Sequence, residues 1–535
     1  MSAISASPVE PAIFPFGSLE WFKRELAPTP ARARRTAIMV AAAVLCVIIS
    51  MTLQVPELSV TAYMPFFMSK ESKFLTTVTG VIGLIGLTIG IGASLLLYKF
   101  TYGHPELRIP GMAIALFLGM YVSRIFVLGP LGFLIGFVVA VSQSVGEAVP
   151  SPELLVRGLL WLWVAIAYGA GLTVVLNLML LPDAPGPPAR LPKSRSFFVS
   201  DAFTNPAHVH FALKVTFAAM FCYIFYMAID WPGIHTALIT CTFIALESTG
   251  ATLHKGVLRI GGCVIGGALA LFTIVFLMPH METIASLVVV VACAAAIAGW
   301  VATGSELVSY GGLQLAFAFF YSVFQGYAPD TDLDNVRNRV VGILLGLIVT
   351  GLVFQYIWPE RTIDRLRAAL RAALQQLARL VEIPGPQTSI AAAKSETHAL
   401  IGATSKSFDH TRRYVELTQF EFEESPDRDR TSLGDLESTL SRAEEVFVAA
   451  TSLAGDEALA TWRQLPADAQ AAESKLRNVV AKRVDHDGPE ETDANLSIAF
   501  ARWTETMQAL QVKNSRVGLV SQLVTEVQQL KSIPN

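Results

Sequence analysis

Charged residues are scarce in this chain of 535 residues, where Asp, Glu, Lys and Arg together make up 16% against roughly 25% in a typical soluble domain. Hydrophobic residues make up 53%, and the mean hydropathy is +0.51. More than half of the charged residues lie after residue 360. A soluble protein of buried helices would need a polar face on most helices, and the segments before residue 360 lack one. The composition therefore indicates a membrane protein with a soluble tail.

Cysteines and nucleotide-binding motifs are also scarce. The five cysteines fall in apolar segments, where they act as small apolar residues, and their spacing predicts neither a zinc site nor a disulfide framework. They are Cys46, Cys222, Cys241, Cys263 and Cys293. The P-loop pattern does not occur, so we expect no ATP hydrolysis by this chain itself. Because the sequence shows no nucleophile–base pair, metal cluster or cofactor motif, we expect neither an enzyme nor a cofactor, and no nucleic-acid partner.

About a dozen apolar segments before residue 360 are candidate membrane spans, since a span needs about 20 predominantly apolar residues. In the first half they lie near 36–54, 57–70, 75–99, 109–126, 129–146 and 155–181, and in the second near 210–229, 232–246, 256–278, 283–302, 308–326 and 337–358. The shortest, near 57–70 and 232–246, follow prolines. Their pattern fits either a full crossing or a broken half-helix.

The two halves carry one pattern at a constant offset of 176 residues. The offset pairs Pro56 with Pro232 (232 − 56 = 176) and Glu71 with Glu247 (247 − 71 = 176). The same offset pairs Ser72 with Ser248, Thr76 with Thr252, Gly80 with Gly256, Gly86 with Gly262, and Gly90 with Gly266. Long apolar repeats are typical of transporters, whose substrate sites lie where the halves meet. The last two glycine pairs have the G-x-x-x-G spacing, which predicts close helix packing.

The predicted fold class is all-α: a polytopic membrane protein with about 12 transmembrane helices in two parallel six-helix repeats, plus a C-terminal soluble helical bundle. Basic residues flank the spans on one side, which predicts cytoplasmic N- and C-termini. The predicted domains are a cytoplasmic N-terminal segment with an interfacial helix (1–34), a first transmembrane repeat (35–181), a cytoplasmic Pro-rich linker (182–208), a second transmembrane repeat (209–360) and a cytoplasmic helical domain (361–535).

Ionisable residues inside predicted spans are costly in lipid and are the first candidates for function. Arg337 and Arg339 open the last span, and Arg157 opens the sixth, the corresponding element of the first half. A guanidinium binds a carboxylate through two hydrogen bonds, so these arginines predict a site for an organic anion. Lys255 and Arg259 lie beside a polar interruption between spans and are further candidates. Alternatively, the three span-opening arginines extend to the membrane surface or pair with the acidic loop that precedes Arg337.

Four residues are candidates for proton coupling or gating. Glu247 is matched by Glu71 in the first copy, and each follows a short predicted span. Asp230 and His235 flank the break before the eighth span, and a histidine titrates near neutral pH. The alternatives are an ordinary cytoplasmic turn around Glu247 and a structural role for His235.

Two stretches resemble the fusaric acid resistance family of bacterial inner-membrane proteins: ESTGATLHKGVLRIGGCVIGG at 247–267 and RNRVVGILLGLIVTGLVFQYIWPER at 337–361. Residues 31–73 look like the N-terminal part of the same proteins, and the resemblance covers roughly residues 20–360. It implies export of aromatic carboxylates or related compounds, with a periplasmic adaptor and an outer-membrane channel as partners. The first copy departs from the second in its polar cluster, with Val78, Thr79 and Gly83 in place of His254, Lys255 and Arg259.

The leading hypothesis is a proton-coupled exporter that carries small organic anions across the bacterial inner membrane. Two alternatives stay open: a passive organic-anion channel, and a non-transporting membrane scaffold. Uphill flux that collapses with the proton gradient would separate the exporter from the channel. Besides its substrate, the chain is expected to contact membrane lipid, and assembly into a homo-oligomer is a further expectation.

Overall fold

The computed structural model describes residues 19–535 with several gaps. The residues left out are 1–18, 147, 148, 150, 183–195, 383–389, 422–425, 456, 457, 459, 460, 463, 486–488, 513, 514, 531, 532, 534 and 535. Residues 1–18 of the predicted N-terminal segment and residues 183–195 of the predicted linker therefore lie outside the described residues. The chain forms two compact units, Met1–Glu247 with Thr252–Pro359, and Ser248–Ala251 with Glu360–Asn535.

Helices dominate the first unit. They are α1 (Leu19–Glu25), α2 (Pro30–Leu53), α3 (Leu58–Met68), α4 (Lys73–Thr101), α5 (Pro105–Ile125), α6 (Gly129–Ser144), α7 (Pro152–Leu180), α8 (Pro206–Ala228), α9 (Thr236–Ile244), α10 (Thr249–Phe272), α11 (Ile284–Ala302), α12 (Ser309–Val323) and α13 (Asp334–Tyr356). Tight helical turns lie at Pro232–Ile234, Thr273–Leu277 and Met278–His280, and the strands β1 (Phe324–Gln325) and β2 (Ala328–Pro329) pair antiparallel.

Eight of the described helices are long and apolar enough to cross a membrane: α2, α4, α5, α7, α8, α10 with the turns after it, α11 and α13. A helix lies in each of the twelve predicted ranges, and the all-α, multi-pass class of the prediction is confirmed. The count of twelve spans stays a prediction.

Local sequence explains where several of these helices begin. Thr29, Ser72 and Ser151 precede α2, α4 and α7, and each side chain accepts a hydrogen bond from the backbone N–H three residues later. Such caps satisfy N–H groups that have no partner inside the helix. Pro30 and Pro152 occupy the first helical position, where a missing N–H costs nothing. Polar caps are thus compatible with long apolar helices.

The helices α3 and α9 are short. They contain 11 and 9 residues, which at 1.5 Å per residue gives lengths of about 16 and 14 Å. A hydrocarbon core is about 30 Å thick, so neither helix crosses it alone. Pro232 opens the tight turn before α9, and Pro65 lies inside α3. Each short helix therefore begins and ends within the first unit, where its side chains can face other helices of that unit.

Helix packing follows the same scheme in the two halves. In the first half α2 packs on α3, α3 on α7 and α5 on α6, and in the second half α8 packs on α9, α9 on α13 and α11 on α12. Contacts across the halves are reciprocal, because α2 packs on α11 and α8 packs on α5. The helices that correspond at the offset of 176 thus occupy corresponding positions.

Backbone details also recur at that offset. The N–H of Lys70 donates to Thr76 Oγ1 (3.0 Å), and the N–H of Leu246 donates to Thr252 Oγ1 (3.0 Å). Each bond closes the turn that follows a short helix. Gln54 follows α2, and Asp230 is the position that corresponds to it after α8 (230 − 54 = 176). Both have a positive φ, at 51° and 55°.

The second unit is a helical bundle with its own core. Its helices are α14 (Thr362–Glu382), α15 (Ile390–Thr418), α16 (Pro426–Ala454), α17 (Ala467–Asp485), α18 (Pro489–Ala509) and α19 (Ser515–Gln528). Leu366, Leu370 and Leu377 are fully buried on one face of α14. A buried ion pair joins Arg516 Nη2 to Glu473 Oε1 (2.6 Å). Such pairs are costly to break, because the remaining charge stays buried.

Candidate functional site

Arg339, on α13, is a buried cation without a hydrogen-bond partner. The residue is 2% exposed, and its Nε, Nη1 and Nη2 atoms have no partner among the described residues. Its Cζ atom lies 3.8 Å from the ring centroid of Phe317 and 5.4 Å from that of Tyr321. A cation–π contact offers roughly 0.5–2 kcal/mol, whereas desolvating one ion costs several kcal/mol. The site therefore favours an incoming anion.

Aromatic rings surround this guanidinium. Tyr63 of α3 meets Phe317 of α12 edge to face, with ring centroids 4.5 Å apart and planes at 63°. Tyr63, Phe317 and Tyr321 are all half-buried, and Arg339 interacts electrostatically with both tyrosines. Partly exposed rings offer flat apolar surface and two phenolic hydroxyl groups. This arrangement can hold an aromatic body next to the cation.

Arg259, on α10, is the second buried cation, at 1% exposure. It donates from Nε to Thr240 Oγ1 (3.0 Å), and from Nη1 to Tyr310 OH (3.0 Å) and Gln314 Oε1 (3.1 Å). Its Nη2 has no partner in the part of the chain that the structure describes. The three acceptors are neutral, so they fix the orientation of Arg259 without neutralising its charge.

The two buried arginines interact electrostatically. Arg259 and Arg339 repel each other, and Cys263 of α10 lies close to Arg339. Lys255 adds a third cation, with its Nζ atom 4.9 Å from the ring centroid of Tyr310. Three predicted residues, Lys255, Arg259 and Arg339, are thus brought together around α12. Their combined field is positive and suits an anionic ligand.

The other two predicted arginines lie elsewhere. Arg337 is exposed at the start of α13, where its Nη1 atom lies 3.2 Å from Asp334 Oδ1. Arg157 is exposed at the start of α7, and its Nη2 atom lies 2.6 Å from Glu153 Oε1. Exposed pairs of this kind contribute roughly 0–1 kcal/mol. These two arginines are not part of the buried cluster.

The matched glutamates pair with arginines from other helices. Arg124 Nη1, on α5, lies 2.7 Å from Glu247 Oε1, and Arg35 Nη1, on α2, lies 3.5 Å from Glu71 Oε1. In each pair the arginine is mostly buried and the carboxylate is exposed. These contacts tie the two turns after α3 and α9 to neighbouring helices, at equivalent places in the two halves.

Asp230 and His235 have different environments. Asp230 is exposed after α8 with a φ of 55°. His235 precedes α9, and its Nδ1 atom lies 3.3 Å from the carbonyl oxygen of Pro232. His235 interacts electrostatically with Arg339. Of these two candidates, His235 is the one whose charge would act electrostatically on the buried arginine.

The rings and one acid of this site are not predicted from the sequence. Glu57 precedes α3 with a φ of 65° and is half-buried. It interacts electrostatically with Tyr63 and Tyr321, the same tyrosines that face Arg339. The repeat does distinguish Glu57 in the sequence, because the second copy has Gly233 at the corresponding position (233 − 57 = 176). Metal binding has no support in the described residues, which contain no group of three or more His, Cys, Asp or Glu residues.

Comparison with known proteins finds a family that this part of the chain resembles. The profile described as "Fusaric acid resistance protein-like" matches residues 218–353, a range that includes Arg259, Phe317, Tyr321 and Arg339. These residues, which make up less than half of the chain, are similar to that family. This confirms the resemblance seen in the sequence.

Curated relatives of this chain carry the name "Multidrug resistance protein MdtO". The protein from Escherichia coli is 36% identical over 222 residues, which are 41% of this chain and 32% of the relative. The protein from Shigella flexneri is 37% identical over 207 residues, which are 38% of this chain and 30% of the relative. The match thus spans about a third of the length of these relatives.

Proposed function

We propose that this chain is an efflux transporter of the bacterial inner membrane that exports aromatic carboxylic acids or related organic compounds. The observation that carries the proposal is the guanidinium of Arg339, which is buried among aromatic rings and has no hydrogen-bond partner among the described residues. An unpaired buried charge destabilises the empty protein. A substrate carboxylate would supply two charge-assisted hydrogen bonds, and the rings would contact its aromatic body.

The comparisons support this proposal at a coarser level. Similarity to the fusaric acid resistance protein-like family and to proteins named for multidrug resistance favours efflux. The eight helices that are long and apolar enough to cross a membrane fit the required setting. We extend the proposal to twelve spans in two parallel repeats with cytoplasmic termini, and to a periplasmic adaptor and an outer-membrane channel as partners.

Proton coupling is a further part of the proposal. His235 interacts with Arg339, so a change in its charge would alter the affinity of the arginine for an anion. Glu247 and Glu71 are exposed carboxylates paired with mostly buried arginines, and Asp230 is exposed. Protonation of either glutamate would break an ion pair between helices. Such pairs can couple a proton to movement of the turns that follow α3 and α9.

The test is uptake of radiolabelled 4-hydroxybenzoate into inverted membrane vesicles, with and without a proton gradient. We expect accumulation above equilibrium that a protonophore abolishes. Equilibration that ignores the gradient would favour a passive organic-anion channel. Absence of flux, with the protein folded, would contradict transport by this chain alone.

Arg339→Gln and Arg337→Gln form a matched pair for the same assay. The first removes the buried cation, and we expect kcat/KM to fall by at least about thirtyfold, equivalent to ~2 kcal/mol. The second removes an exposed, ion-paired arginine two residues away, and we expect less than about a twofold change. Equal loss in both variants, with equal expression, would contradict the proposed role of Arg339.

A further inference from the structure

We infer that Arg259 forms a second anion-binding station, so that an anion passes from one station to the other along α12. This pair of stations is called the relay. The stations are named for the proposed orientation with cytoplasmic termini. The inner station consists of Arg259 with Tyr310 and Gln314, and the outer station consists of Arg339 with Phe317 and Tyr321. The identity of the natural anion rests on the proposed function. The existence of two binding positions is independent of that function.

Spacing along α12 separates the two stations. Tyr310 contacts Arg259 and Phe317 contacts Arg339. They are seven residues apart on one helix (317 − 310 = 7), which corresponds to about 10 Å at 1.5 Å per residue. Gln314, which also accepts a hydrogen bond from Arg259, lies between them on the same helix. Each guanidinium thus has its own contacts on successive turns of α12, and on this proposal a monocarboxylate occupies one station at a time.

The two stations differ in the donors that they offer. Arg339 has three nitrogen atoms without a partner among the described residues, whereas Arg259 has only Nη2. A carboxylate can bind Arg339 through two parallel hydrogen bonds, but it can bind Arg259 through one. The outer station is therefore expected to bind an anion more tightly than the inner one.

Like charges link the occupancy of the stations. Arg259 and Arg339 interact electrostatically, and such an interaction strengthens as the charges approach and as their surroundings become less polar. An anion at one station partly neutralises the field that attracts an anion to the other, and two bound anions repel each other. Conduction through several weak sites depends on such repulsion, because each arriving ion promotes release of the one ahead. The pair of arginines thus provides both entry and release.

The test uses equilibrium binding of radiolabelled thiocyanate and of radiolabelled benzoate to the full-length protein in lipid nanodiscs. Thiocyanate is a small anion that reports the cationic stations without any aromatic carboxylate. For wild type we expect two classes of thiocyanate site that differ at least about fivefold in Kd. Arg339→Gln should remove the tighter class, Arg259→Gln the weaker class, and the exposed control Arg157→Gln neither.

Gln314→Glu tests the same station without removing its arginine. The substitution nearly preserves side-chain shape and places a carboxylate against Nη1 of Arg259, at a contact that is now 3.1 Å. We expect loss of the weaker thiocyanate site with an unchanged or raised melting temperature, because the new carboxylate would pair with a buried cation. If Arg259→Gln disturbs the helix packing, Gln314→Glu still tests whether Arg259 binds an anion.

Each outcome has one meaning. A single thiocyanate site that disappears in both Arg259→Gln and Arg339→Gln would show one shared position and overturn the relay. Two sites that persist in both Arg259→Gln and Gln314→Glu would make Arg259 structural and also overturn it. Two thiocyanate sites without benzoate binding would support the relay and contradict the proposed aromatic substrate. Two sites for both anions would support both.

Discussion

Phe317 has a double role at the scale of single residues. Its ring centroid lies 3.8 Å from Arg339 Cζ, and its edge meets Tyr63. The ring face attracts the guanidinium and partly offsets its burial in the empty protein. The same half-buried ring offers apolar surface to the body of a bound aromatic acid. It is therefore expected to select aromatic over aliphatic anions.

Phe317→Leu tests this selectivity. The substitution keeps an apolar side chain but removes the ring, so we expect the KM for benzoate to rise about five- to tenfold, or ~1–1.4 kcal/mol. The KM for hexanoate should change less than about twofold. Both values come from competition against 4-hydroxybenzoate uptake in inverted vesicles. Phe221→Leu, on an exposed part of α8, is the control, and an equal rise for both acids would contradict ring selectivity.

Sequence reasoning treated Arg337 and Arg339 as equal candidates, and the structure separates them. Residues two positions apart on a helix point about 200° away from each other. Arg337 therefore faces solvent and Asp334, whereas Arg339 faces α12. The hydropathy of α13 cannot tell which face is which. That depends on the packing of Tyr63 and Phe317 against the helix, and those residues lie far away in the chain. The identity of the charged residues was predictable, but their burial was not.

Close helix contacts explain the paired glycines at the scale of elements. A Cβ atom at Gly262 would lie 2.4 Å from the carbonyl oxygen of Gly311, and one at Gly266 would lie 2.4 Å from that of Leu315. In the first half, a Cβ atom at Gly90 would lie 2.8 Å from Val138. These glycines let α10 approach α12, and α4 approach α6, more closely than any larger residue permits. The packing role expected from the sequence is what these contacts show.

Gly262→Ala and Gly261→Ala form a matched pair on α10. The added methyl group at Gly262 would meet rigid backbone, whereas nothing lies within 4 Å of a Cβ atom at Gly261. Overpacking typically costs about 1–3 kcal/mol, and alanine gains up to ~1 kcal/mol of helix propensity over glycine. We expect Gly262→Ala to lower the melting temperature in detergent, and Gly261→Ala to preserve or raise it. A drop in Gly261→Ala alone would contradict this packing.

Helix positions were predictable from hydropathy, but some interruptions were not. The periodicity of residues 494–531 predicts one helical segment, and the structure has two helices, α18 and α19. Gln511, between them, has a positive φ of 54°, a conformation that glycine usually provides. The sequence offers no glycine or proline at that point to indicate a break. The tertiary packing of the bundle decides it.

The whole molecule combines matched helix packing with an unmatched site. The positions that correspond to Arg259 and Arg339 in the first half are Gly83 (259 − 176 = 83) and Trp163 (339 − 176 = 163). The two stations therefore belong to the second half, although Tyr63 of the first half completes one of them. Sequence comparison of the halves predicted the asymmetry at Arg259. It could not predict Tyr63, because the contact between α3 and α12 joins distant parts of the chain.

Membrane orientation decides which station an exported anion meets first. The predicted cytoplasmic side carries the bases, and the loop at 329–334 on the other side is acidic, as the positive-inside rule expects. We predict that Thr331→Cys, introduced at an exposed position after replacement of the five native cysteines, reacts with a membrane-impermeant maleimide in cells with a permeabilised outer membrane. Ser305→Cys, exposed before α12, should react only after the inner membrane is also opened.

The two labelling sites lie at opposite ends of α12, so their accessibility fixes the direction of the relay. Labelling of position 331 from outside would place Arg339 towards the periplasm and Arg259 towards the cytoplasm. An anion would then move from the weaker to the tighter station during export, and the exposed end of α13 would lie beside the point of release. Labelling of position 305 instead would reverse the topology, and the tighter station would face the cytoplasm as the entry site. Release would then have to occur from the weaker station, which one hydrogen bond from Arg259 Nη2 would permit.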